Sequence, residues 1–160
     1  MPLEPSTCID AGAWQSPAID LLVALLKAAR EATDDVPIVK QILGAAVHII
    51  EYAEKMRGNR RAMLSLAEKA ATFAQQIQQI VEGCVVNDIL QARLQRLHTV
   101  FDGIESFARP ESAVRGRFKR TVRTYFIVPR QIERLRGDLE NEIQVFLVRV
   151  CANDSFYGAS

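Results

Sequence analysis

The sequence predicts an all-α fold: an up-down four-helix bundle with an extra helix on its N-terminal side and a short basic connecting helix before the last long one. Three observations predict it. After residue 16, apolar residues recur three and four positions apart, the period of one face of an α-helix. No stretch alternates between apolar and polar residues in the manner of a half-buried strand. Proline, glycine and asparagine separate the periodic segments by only a few residues, and connections that short place successive helices side by side and antiparallel.

Residues 1–15 contain Pro2, Pro5 and Gly12 and read as an irregular leader. Ser16-Pro17 is a helix start, with serine as N-cap and proline in the first turn. From it SPAIDLLVALLKAAREA predicts a short, very apolar helix over 17–32, with Leu22, Leu25, Leu26 and Ala29 on one face. Asp34-Asp35-Val36-Pro37 opens the next helix, which runs to about Arg57. Val39, Ile42, Ala46, Ile49, Ala53 and Met56 line it, and Leu43, Val47 and Ile50 widen the stripe. Gly58-Asn59 breaks the chain and caps it again.

A helix over 60–82 follows, with Met63, Leu66, Ala70, Phe73, Ile77 and Ile80 inward, and Gly83 ends it. The next spans about 86–108, with Leu90, Leu94, Leu97, Phe101, Ile104 and Ala108 inward, and Arg109-Pro110 stops it. Ser112 opens a short basic helix over about 113–125. Pro129 begins the last long helix, to about Cys151, along Val128, Ile132, Leu135, Leu139, Ile143, Phe146 and Val150. The helical domain thus covers 16–151, and 152–160 reads as a flexible tail. Long helices of roughly 22 residues would each measure about 33 Å. Their heptad-like spacing favours axes crossing at about 20°, with the 17–32 helix outside the bundle or across one end.

The totals fit one soluble domain able to bury a core without metals or disulfides: 160 residues, 49% apolar, 24% charged and a net charge of +1. The charge is unevenly spread. Between Arg109 and Arg136 stand nine Lys/Arg and only Glu111 and Glu133, a net +7, which leaves the rest of the chain at −6. Cys8, Cys84 and Cys151 are far apart and have no CxxC spacing. They favour a reducing, cytoplasmic setting over a disulfide framework or a zinc site. The longest apolar runs, LLVALL and AAVHII, fall far short of the ~20 residues that a membrane span needs, and nothing reads as a signal peptide.

No Gly-rich phosphate loop, HExxH, GxSxG or paired Cys/His set occurs. The expectation is therefore a non-enzyme without metal or cofactor. His48 falls beside the apolar stripe of its helix and reads as packed or half-buried, while His98 reads as a surface residue. Glu51, Glu54, Asp138, Glu140 and Glu142 read as solvated helix faces.

The stretch VRGRFKRTVRTYFIVP (114–129) interleaves Arg115, Arg117, Lys119, Arg120 and Arg123 with Phe118, Val122, Tyr125 and Phe126. It has three readings. It is a solvated face on a connecting helix. Or it meets a membrane surface, with Phe118, Tyr125 and Phe126 in the headgroup zone and guanidiniums on phosphates. Or it meets a nucleic acid, which ranks third and is not expected, because no recognition-helix or RNP-like pattern aims the charges. The 17–32 helix, with Leu22, Leu25 and Leu26, either completes the core or is a releasable segment that inserts into a bilayer or another protomer.

Two stretches, VPIVKQILGAAVHIIEYAEKMRGNRRAMLSLAEKAATFAQQI and FDGIESFARPESAVRGRFKRTVRTYFIVPRQIERLRGDLENEIQVFLV, resemble the helical N-terminal domain of the mixed-lineage kinase domain-like family, in particular its fungal, mostly basidiomycete, members. The Pro-Ile-Val-Lys opening, the HIIEYAEKMRGNR turn and the LAEKA continuation carry the likeness, which covers roughly 17–150. The resemblance implies a four-helix bundle related to the adaptor-type N-terminal domain of Cbl proteins, at the head of a larger chain. It implies a signalling or cell-death module that oligomerises, or engages a helical or kinase-like partner domain, and is recruited from the cytoplasm to anionic phospholipid. Arg115, Arg117, Lys119, Arg120 and Arg123 would then be lipid contacts, with Arg57, Arg60 and Arg61 as weaker candidates. A protein-interaction adaptor without membrane activity is the alternative.

Overall fold

The structure is a computed structural model that describes residues 17–109 and 127–157, with Cys151 and residues 153–157 as backbone only. The expected leader, the expected basic helix and the stripe from Arg115 to Arg123, with Phe118, Tyr125 and Phe126, lie outside the described residues. Those described form five helices and no strand: α1 Pro17–Ala32, α2 Pro37–Lys55, α3 Arg60–Glu82, α4 Asp88–Ala108 and α5 Val128–Tyr157.

The starts and stops follow local chemistry. Proline occupies the first position of α1 and α2, where its missing N–H has no intrahelical partner to lose. Asn59 turns the chain from α2 into α3 in the left-handed region, at φ 56° and ψ 21°, a conformation asparagine tolerates better than most residues. Asn87 caps α4 by accepting the Leu90 N–H at 2.8 Å. The last helix continues to Tyr157, past the end expected near Cys151, so the 152–157 part of the expected flexible tail is helical.

The four long helices form a bundle around α2. This helix packs against α1, α3 and α4, and α5 closes the other side against α3 and α4. Burial follows that placement. The α2 stripe is buried from Ile38 through Ala53 along Val39, Ile42, Leu43, Ala46, Val47, Ile49 and Ile50. Among the described side chains of α5 Ile132, Leu139 and Phe146 are buried, with Val128, Leu135, Ile143 and Val150 partly so. Among the described residues no polar or charged residue is buried.

Side-chain pairs give the directions. Ser65, Lys69 and Phe73 of α3 meet Arg136, Glu140 and Phe146 of α5 in that order, so α3 and α5 run in the same sense. Lys27 meets Glu51, and the Arg30 guanidinium lies 3.6 Å from the position a Cβ on Gly44 would take. Helix α1 therefore runs opposite to α2. The sequence placed α3 and α4 side by side because their connection is short. In the structure the principal contacts of α4 are instead with α2 and α5. The apolar arc of α2 is wide enough to receive α3 and α4 on separate flanks.

Helix α1 rests on α2 and α3. Its inner stripe is Ile19, Leu22, Leu26 and Ala29, with Ile19 and Leu26 buried. Leu25 does not share that face: it stands 48% exposed beside Leu21 at 61%. One residue advances a helix by about 100°, so on the narrow stripe of α1 Leu25 falls outside the arc that holds Leu22 and Leu26.

Candidate functional site

The topology gathers Arg57, Arg60 and Arg61 with basic residues from the ends of other helices at one end of the bundle. The α2–α3 turn carries Arg57, and the first turn of α3 carries Arg60 and Arg61. The Ser65–Arg136 contact, at 3.5 Å, brings the start of α5 alongside the start of α3 and so places Arg130 at this same end. His48 of α2 lies 3.1 Å from Glu105 in the last turn of α4, which sets the end of α4, with Arg109, nearby. Lys55 closes α2 here. Lys55, Arg57, Arg61, Arg109 and Arg130 are exposed, while Arg60 is half-buried with its Nε shielded from solvent.

The carboxylates at this end include Glu54, Glu105 and Asp20, the last in the first turn of α1. Glu105 is engaged twice: one oxygen accepts from His48 Nδ1 at 3.1 Å and from Arg109 Nη2 at 3.3 Å. This pair belts α2 to the C-terminus of α4, next to the point where the chain enters the segment 110–126. His48 itself is about half exposed, at 46%, with its ring tilted against Tyr52. It is thus a surface histidine with a carboxylate partner on another helix. His98 is partly buried rather than fully on the surface.

The opposite end has the opposite sign. Glu31, Asp34 and Asp35 lie at the end of α1 and in its turn into α2, Glu82 ends α3 and Asp88 opens α4. Arg30 and Lys40 oppose them, and Lys40 donates to Asp34 at 2.8 Å. The hydrogen bond and positive charge of Lys40 hold the Asp34 carboxyl below its usual range. Val85 and Ile89 stand at this end 92% and 66% exposed.

Of the other residues singled out in the sequence, Leu22 and Leu26 are core contacts of α1 and only Leu25 faces solvent. Sequence reasoning missed two things. One is Arg109 and Arg130 as companions of Arg57, Arg60 and Arg61, revealed by the His48–Glu105 contact and by the parallel course of α3 and α5. The other is the cross-helix role of Glu51 and Glu140, which pair with Lys27 and Lys69 instead of being merely solvated. A groove of about 490 Å³ runs beside that second pair, lined by Ser65, Glu68, Lys69, Thr72, Phe73 and Arg136 among others.

Among the described residues no group of three His, Cys, Asp or Glu is placed to hold a metal ion. None of the described helices is long and apolar enough to cross a membrane. No family model, curated protein or solved structure matches this chain.

Proposed function

We propose that this chain is a signalling module of the cell-death type that self-associates and docks reversibly on anionic membranes through its basic end. Segregated charge carries the reading. The segment 109–136 holds +7 while the remainder of the chain holds −6. Its described flanks, Arg109 and Arg130, lie at the same end as Arg57, Arg60 and Arg61. A basic residue near an anionic leaflet contributes about 1 kcal/mol, so the five cations of 115–123 with those of the bundle end suffice for peripheral binding. The interleaved Phe118, Tyr125 and Phe126 supply rings suited to the headgroup zone. The resemblance of the sequence to the mixed-lineage kinase domain-like bundle points the same way. On this reading the protein works from the cytoplasm and is recruited to the membrane.

The test is co-sedimentation with neutral and with anionic vesicles at low and high salt, for the wild type and for a variant with Arg117, Lys119, Arg120 and Arg123 changed to Glu. Salt-sensitive binding to anionic vesicles alone, lost in the variant, supports the proposal. Equal binding by both proteins sinks it.

A second reading, an adaptor without membrane activity, is favoured by the exposed Leu21 and Leu25 and by the α3–α5 groove. It predicts a monomer that ignores vesicles and captures one protein partner.

A further inference from the structure

The two ends of the bundle are complementary to each other, and we infer that copies of this chain associate head to tail, the acidic end of one against the basic end of the next. The inference rests on the self-association included in the proposed function and names its surface. At the basic end Lys55, Arg57, Arg60, Arg61, Arg109 and Arg130 stand against Asp20, Glu54 and Glu105. At the acidic end Glu31, Asp34, Asp35, Glu82 and Asp88 stand against Arg30 and Lys40. The first set sums to a positive charge of three and the second to a negative charge of three.

The separation follows from the course of the chain. The α2–α3 turn, the end of α4 and the start of α5 lie at one end. The α1–α2 and α3–α4 turns lie at the other. Each end also exposes apolar side chains: Val85 and Ile89, 92% and 66% exposed, at the acidic end, and Ile127, 48% exposed, at the basic end. Protein contacts combine apolar and polar surface.

Two like ends repel and two unlike ends attract, so the charge selects a heterologous contact over a two-fold one. A heterologous contact that does not close into a ring propagates as an open chain. The attraction is carried by exposed side chains and falls within a Debye length of about 8 Å at physiological salt. The assembly is therefore weak, reversible and salt-sensitive, and the same basic end cannot hold a neighbour and an anionic surface at once.

Sedimentation of the full chain without lipid tests this, with two charge-reversal variants. One changes Arg57, Arg61 and Arg130, together with Arg117, Lys119, Arg120 and Arg123, to Glu and leaves the half-buried Arg60 alone. The other changes Glu31, Asp35 and Glu82 to Lys; the changes at 31 and 82 place positive charge near the C-termini of α1 and α3, where the helix dipole accepts it. Circular dichroism confirms that each variant keeps its helices.

The wild type should gain mass with concentration at low salt and revert to monomer at high salt. Each variant alone should associate about tenfold or more weakly. An equimolar mixture of the two, now one chain with two acidic ends and one with two basic ends, should regain mass with alternating composition. A wild type that stays monomeric at low salt overturns the inference, as does a mixture that fails to recover. Association that survives both reversals, and disappears when Leu21 and Leu25 become Ser, overturns it in favour of the outer face of α1. Vesicle binding scored separately shows whether the membrane reading stands when the head-to-tail contact does not.

Discussion

Phe73 of α3 and Phe146 of α5 meet edge to face, with ring centroids 6.0 Å apart and planes at 88°. This geometry sets the positive ring edge of one against the negative face of the other, worth about 0.5–1.5 kcal/mol beyond the area buried. The contact matters because, among the described side chains of α5, Ile132 and Leu139 are the other two that are buried. Phe146→Ala should cost about 3–5 kcal/mol in a urea unfolding curve. A loss under about 1 kcal/mol, at the level of a surface substitution, would mean that α5 is not held by this seam.

The contact between Arg30 and Gly44 makes a prediction of opposite sign. A Cβ on Gly44 would meet the Arg30 side chain at 3.6 Å, ordinary van der Waals contact, and Gly44 sits inside α2. Gly44→Ala should therefore stabilise by about 0.5–1 kcal/mol through helix propensity. Gly44→Leu should displace Arg30, loosen α1 and raise hydrogen exchange in 17–32 ahead of the rest of the chain.

Asn59 is the single non-glycine residue with positive φ among those described. Replacement by glycine should leave thermal stability nearly unchanged. Replacement by valine should cost about 1–2 kcal/mol, because a β-branched side chain crowds the following carbonyl in the left-handed region.

Acid should weaken the structure through two exposed carboxylates. Hydrogen bonding to Lys69, then its charge, lowers the Glu140 pKa; Lys40 acts on Asp34 in the same way. A depressed folded-state pKa stabilises above the unfolded value and loses that contribution as pH falls through the folded value. The loss therefore falls below about pH 4, where free carboxylates titrate. Carbon-detected NMR titration should show both midpoints low in the wild type. Lys69→Met should return that of Glu140 toward normal and leave Asp34 unmoved.

Most of the fold was legible in the sequence because apolar spacing and turn residues are local signals. Pro17, Pro37 and Asn59 mark helix starts within a residue or two, and nearly every residue assigned inward on α2, α3 and α4 is buried or partly so. Leu25 went astray because α1 is apolar around much of its circumference, so spacing alone did not say which arc meets the core. The α4 neighbours were misplaced because a short connection limits where the next helix begins, not which flank of α2 it joins. The site was half legible. Basic residues clustered in sequence stand out, whereas Arg57, Arg61, Arg109 and Arg130 converge only through the packing of α3, α4 and α5.

The central claim, docking on an anionic surface, is tested most directly by equilibrium binding of the unmodified protein to vesicles of increasing phosphatidylserine content at fixed low salt. The account predicts no binding to neutral vesicles and a steep rise with anionic content, reversed by added salt as exposed charges are screened. Binding that is absent at every composition, or indifferent to both anionic content and salt, would contradict it.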